Sequence, residues 1–111
     1  MQFMIFMSED PAWYELPEAE QTAITQAHSD FESALSTHGK FISSARFRAD
    51  EGQCVHQNDD GIQDITEAPE AGRGAIGGYY LIECDTMEEA LHWAQRCRFV
   101  TGTNTVYPLW D

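Results

Sequence analysis

Apolar residues fall on both faces of the strand-forming segments of this chain, while only two segments carry a helical repeat. Gln2 to Met7 is apolar on nearly every residue, Gly78 to Cys84 reads GYYLIEC, and Thr103 to Trp110 holds Val106, Tyr107, Leu109 and Trp110. A short run that is apolar on successive positions is the pattern of a strand covered on both faces. Two helices can cover only one face of a sheet. Phe3, Ile5, Tyr79, Leu81, Tyr107 and Leu109 alternate with Met4, Phe6, Tyr80, Ile82, Val106 and Trp110, and one of these sets needs another cover. A second copy of the same sheet is the simplest, which predicts a homodimer with face-to-face sheets.

The elements follow in a regular order. Pro17 opens the first helix, and Glu18 and Glu20 complement its positive end. Ile24, Ala27, His28, Phe31, Leu35 and His38 mark one face, and Gly39 supplies the left-handed stop. Phe41 to Phe47 reads as a strand. Gln53 to Gln57 and Ile62 to Thr66 flank Asn58-Asp59-Asp60-Gly61, a β-hairpin closing on Gly61. Pro11 to Leu16 is a loop holding Trp13 and Tyr14, and Glu67 to Gly77 is a second loop with Pro69, Gly72 and Gly74. Asp85 or Thr86 caps the second helix, with Glu88 or Glu89 three residues on. Met87, Ala90, Leu91, Ala94 and Cys97 form its buried stripe, and Arg96 and Arg98 sit at its negative end. Pro108 places the last strand at an exposed edge. The order β-α-β, hairpin, β-α-β predicts one α+β domain over residues 1–111: a ferredoxin-like split βαβ fold with an extra hairpin.

Composition narrows the function classes. The 111 residues are 42% hydrophobic, enough for one core without metal or disulfide staples. Six basic against nineteen acidic side chains leave a net charge of −13, which repels phosphate backbones and anionic lipid. Direct nucleic-acid binding and membrane binding are therefore excluded as expectations. Met1 to Met7 lacks the basic start and length of a signal peptide, and no run approaches the roughly 20 apolar residues of a membrane span. Cys54, Cys84 and Cys97 are odd in number and form no CxxC pair, as in a cytoplasmic protein with reduced thiols. The glycines at 72, 74, 77 and 78 form no GxGxxG after a strand, and Asp59, Asp60 and Asp64 lack calcium-loop spacing. No two histidines stand four apart and no HxxxE-type ligand pair is picked out. Neither a metal nor a cofactor is expected.

Gly77-Gly78-Tyr79-Tyr80-Leu81-Ile82-Glu83, followed by Glu88-Glu89-Ala90-Leu91-His92-Trp93-Ala94, joins three other features: MQFMIFM at the start, a Pro-Glu-started helix ending at Gly39, and the terminal Val106-Tyr107-Pro108-Leu109-Trp110. Together they make the chain resemble the YCII-related proteins over its whole length, and specifically their DGPF branch. The resemblance implies a dimeric α/β-barrel of ferredoxin-like protomers with a cleft near the sheet interface. It implies a His in the first helix eleven residues before the closing Gly, the relation of His28 to Gly39. The acidic partner of that His lies, in YCII relatives, near the end of the second helix in a DP-type motif. Cys97-Arg98-Phe99 stands there instead, so that partner is missing. Glu67-Ala68-Pro69-Glu70 stands where Asp-Gly-Pro-Phe is expected, a degraded form of the motif.

Two functions follow. In the first, a small molecule sits in the cleft, His28 moves a proton, Trp13 lines the pocket, and the loop carrying Glu67 and Arg73 closes over it with Arg73 gripping a carboxylate. His28 can equally be a core histidine satisfied by one hydrogen bond, and the loop an ordinary connection. In the second, the chain is a structural or interaction module whose site has drifted. Some DGPF relatives are linked to transcription sigma factors, which the resemblance makes a possible partner class. A cofactor-free oxygenase is conceivable by fold analogy alone.

Overall fold

The computed structural model describes residues 1–97 and 101–110. Six strands and two helices follow in the order β1 (Gln2–Ser8), α1 (Glu18–Thr37), β2 (Phe41–Arg46), β3 (Gln53–Gln57), β4 (Gln63–Glu67), β5 (Ile76–Glu83), α2 (Met87–Arg96) and β6 (Asn104–Pro108). Four of them form one antiparallel sheet in the order β2-β5-β1-β6, and β3 and β4 form a separate hairpin. The sheet is open at β2 and β6, so these residues form no closed barrel.

Local chemistry explains the boundaries. Pro17 stands at the N-cap of α1, and Gly39 takes φ +69 just past its end, a conformation that glycine adopts without the Cβ penalty. Thr86 caps α2 by accepting from the Glu89 backbone N–H at 3.1 Å, while the Glu89 carboxylate accepts from the Asp85 N–H at 3.0 Å. β5 begins two residues before the GYYLIEC run because Ile76 and Gly77 belong to the strand. A Cβ on Gly78 would fall 2.7 Å from the Ala45 carbonyl oxygen of β2, so only glycine admits that approach. The segment expected as a plain loop at 11–16 contains a 3-10 turn, Pro11–Glu15, capped by the Asp10 side chain. Arg98, expected at the end of α2, lies outside the described residues.

Register corrects the sequence-based grouping of the two apolar sets. Phe3 pairs with Ile82 and Ile5 with Tyr80, and Ile5 also pairs with Val106. An odd-numbered residue of β1 therefore shares its face with an even-numbered residue of β5, because cross-strand partners point the same way. Phe3, Ile5, Tyr80 and Ile82 pack with Phe31 and Leu35 of α1 and Ala90, Trp93 and Ala94 of α2. Met4, Phe6, Tyr79, Leu81 and Tyr107 occupy the other face, half-buried or exposed. In α2 the inward residue is Trp93, whereas Leu91 faces out. Trp93 sits three residues after Ala90 and so stays on the buried stripe.

The hairpin stands apart from this core. Val55 and Ile65 are cross-strand partners, yet both remain largely exposed. Stability should therefore be unevenly distributed. Ile82→Ala, at a position with no exposed surface, should cost about 2–5 kcal/mol in urea denaturation. Ile65→Ala, at 68% exposed, should change stability by no more than about 0.5 kcal/mol. Equal losses would contradict this division.

Candidate active site beside His28

The helix face that builds the core continues into a cleft. Phe31 and Leu35 are buried under the sheet, while His28, one turn toward the N-terminus of α1, is half-buried where the sheet edge ends. A cleft of about 380 Å³ opens there, bounded by α1, β2, the beginning of β5 and the turn after β1. His28 and Trp13 both line it, together with Glu9, Glu32, Ser44, Arg46 and Tyr80.

Each of these side chains is placed by a local interaction. Trp13 rides on the capped 3-10 turn, and the Gln21 side-chain amide donates to its carbonyl at 2.9 Å. The Arg46 guanidinium carbon lies 5.0 Å from the Trp13 ring centroid, a cation–π arrangement. Glu9 is buried and accepts from the Tyr14 hydroxyl at 2.7 Å, a bond that raises the Tyr14 pKa. The Ser44 hydroxyl donates to the Glu32 carboxylate. His28 Nδ1 lies 3.0 Å from the Tyr80 hydroxyl.

Electrostatics favour a neutral imidazole. Burial lowers the His28 pKa from its ordinary 6.5, Arg46 lowers it further, and Glu32 opposes both. Burial, with Glu32 and Cys97 adding to it, raises the Tyr80 pKa, so its phenol stays protonated at neutral pH. A neutral imidazole bordering a cleft can accept and return a proton.

Sequence reasoning does not fully anticipate this set. Glu67 and Arg73 do not line the cleft. Glu67 ends β4, paired with Gln53 in the outer hairpin, and Arg73 is exposed in the turn before β5. The guanidinium at the cleft belongs to Arg46. Ser44 and Arg46 alternate on one face of β2, and the pairing of β2 with β5 brings both to the cleft. Glu32 is missed too, although His28-Ser29-Asp30-Phe31-Glu32 has the HxxxE spacing that places both side chains on one helix face. The other histidines lie elsewhere: His38 donates to the Ala34 carbonyl at 2.8 Å, His56 contacts Thr66 in the hairpin, and His92 is exposed. Of the other aromatics considered for a pocket, Trp93 is core and Trp110 is fully exposed. Cys84 and Cys97 are buried free thiols, each pushed up to about 11 chiefly by burial. A second cleft of about 660 Å³, between Tyr107, the 101–103 segment and the 72–75 turn, has no imidazole in its lining.

Compared with known protein families, the chain matches the YCII-related domain over residues 1–111, and it belongs to that family. A comparison with curated proteins finds no match. Among the described residues, no helix is long and apolar enough to cross a membrane.

The lowered His28 pKa fixes a sign. The folded state binds a proton at His28 less readily than the unfolded chain, so stability falls as pH drops through the unfolded value of 6.5. Between about pH 7.5 and pH 5.5, above most carboxylate titration, wild type should lose more stability than a His28→Gln variant. Chemical denaturation at each pH measures this, and parallel curves would contradict it.

Proposed function

We propose that this YCII-related chain, of the DGPF branch, is a cytoplasmic homodimer of ferredoxin-like protomers, and that the dimer completes an α/β-barrel. It holds a small organic molecule in the cleft beside His28, and His28 is the acid–base group. The observation that carries this reading is the setting of His28. Its ring borders a cleft of about 380 Å³ and is held by a side-chain hydroxyl at 3.0 Å, rather than being enclosed in the core against backbone. Tyr80 holds the ring through Nδ1, and the His28 side chain borders the cleft. Trp13 supplies a flat apolar wall and Arg46 a positive charge beside it. The wider second cleft lacks a group that titrates near neutrality, and so is a poorer place for proton transfer.

The dimer rests on the sheet face turned away from the helices. Met4, Phe6, Leu81 and Tyr107 lie there with no element of the described chain across them, and the strand order β2-β5-β1-β6 is that of a split βαβ sheet. Two such faces packed together bury what the helices cannot. Gel filtration with light scattering should give about twice 12.6 kDa. A monomer mass at micromolar concentration would contradict the dimer.

One observation favours a second reading, the interaction module. Val55, Ile62 and Ile65 are exposed on the hairpin, as a protein-docking arm would be. One variant separates the two. His28→Ala should leave the melting temperature within a few degrees of wild type, because a half-buried ring contributes little packing and water entering the cleft can replace its bond to the Tyr80 hydroxyl. Any compound that stabilises wild type in a thermal-shift screen of small acids and phenols should then lose its effect. A large fall in melting temperature, with compound responses unchanged, would overturn the pocket reading and leave the module.

A further inference from the structure

His28 and Glu32 are separated by one turn of α1, which sets them about 6 Å apart along the helix axis and on one face. Beneath them, Ser44 of β2 and Tyr80 of β5 are register partners. Antiparallel partners have their Cα atoms about 4.5–5.5 Å apart. The two spacings are close enough for each helix residue to meet one sheet hydroxyl. Tyr80 meets His28, and Ser44 meets Glu32. All four side chains line the same cleft.

We propose that Glu32, held in place by Ser44, is the positioning acid for His28. This rests on the reading of His28 as the acid–base group. In the tautomer whose Nδ1–H donates to the Tyr80 oxygen, the other ring nitrogen takes a proton from a molecule in the cleft. Its lone pair forms the new N–H bond and the electron pair of the broken bond stays on that molecule. The imidazole becomes a cation. The Glu32 carboxylate is the negative charge one helical turn away that stabilises it, and the proton returns to the ligand when the step reverses or completes.

The charges around His28 make such a partner necessary. Arg46 from β2 and the loss of water both disfavour the imidazolium. Tyr80 from β5 is a phenol whose pKa burial raises, so it carries no charge at neutral pH. Glu9 and Asp10, from the turn after β1, line the cleft but are engaged elsewhere: Glu9 by the Tyr14 hydroxyl, Asp10 by the Ala12 N–H and the Thr101 hydroxyl. Glu32 is the carboxylate on His28's own helix face, and its hydrogen bond to Ser44 fixes where that charge sits.

The test needs no ligand. Histidine ring titrations of the full-length protein are followed by long-range proton–nitrogen NMR in wild type, Glu32→Gln and Glu32→Asp. Glutamine keeps the length and an acceptor for Ser44 while removing the charge. A unit charge about 6 Å away is worth about half a pKa unit in water-like surroundings and more in a half-buried cleft. The His28 midpoint should therefore fall by at least that much in Glu32→Gln and by clearly less in Glu32→Asp, while His38, His56 and His92 hold still. An unchanged or raised midpoint in Glu32→Gln would overturn the proposal. Equal falls in both variants would as well, since they would report altered packing rather than charge. So would a His28 that titrates in none of the three forms. A purely structural Glu32 leaves the midpoint in place, and the loss of compound response in His28→Ala is read separately. Failure of this pairing is thus distinct from failure of the site.

Discussion

Tyr80 belongs to the core by its ring and to the cleft by its hydroxyl. Only 3% of its surface is exposed, and the ring meets Phe31 edge-on with centroids 5.0 Å apart. Phe31 in turn touches Trp93 of α2 at 6.2 Å, so one aromatic chain ties the central strand β5 to both helices. Burying a phenol is favourable only if its hydroxyl finds a hydrogen-bond partner, because an unsatisfied one costs about 1–3 kcal/mol. His28 is that partner. The packing that holds α1 on the sheet therefore also sets the position of the imidazole. Placement on a helix over a packed core is more exact than placement on a loop, and Glu67 and Arg73 lie outside the cleft lining.

Charge shapes the rest of the cleft. In a chain with nineteen acidic and six basic side chains, the basic ones near acids tend to be taken up in ion pairs, as Lys40 is with Glu89 and Arg48 with Glu51. Arg46 instead lies over Trp13 and lines the cleft. Glu9, Asp10 and Glu32 each accept a hydrogen bond from a neighbouring hydroxyl. The cleft thus brings together carboxylates held by hydroxyls, one guanidinium, an imidazole and the aromatic rings of Trp13 and Tyr80.

Much of the architecture was legible in the sequence, for identifiable reasons. The helices could be read from Pro17, Gly39 and Thr86, whose effects are local and do not wait on tertiary contacts. The hairpin could be read from Asn58-Asp59-Asp60-Gly61, where Gly61 takes φ +82. What could not be read was register. Whether Tyr79 or Tyr80 faces the helices depends on pairing with Phe6 and Ile5, a long-range fact that alternation alone leaves open. The site suffered from the same limit. His28 stood out through family resemblance and Trp13 through its loop, but Arg46 and Ser44 reach the cleft only because β2 pairs with β5. Glu67 and Arg73 were drawn in by the glycine- and proline-containing loop before β5, and the fold puts them on the outer hairpin and an exposed turn. Glu32 was within reach of local reasoning, at four residues from His28 on one helix.

If the core positions the imidazole through one hydroxyl, removing that hydroxyl should disturb the site and spare the fold. Tyr80→Phe does this, since it keeps the ring that packs on Phe31. Nitrogen NMR of the His28 ring reports which tautomer is present. The account predicts one dominant tautomer in wild type and a mixture in Tyr80→Phe, with a stability loss of no more than about 0.5–1.5 kcal/mol, the net worth of one hydrogen bond. A His28 ring whose tautomer is unchanged by Tyr80→Phe would contradict it, because the imidazole would then be positioned by something other than the core.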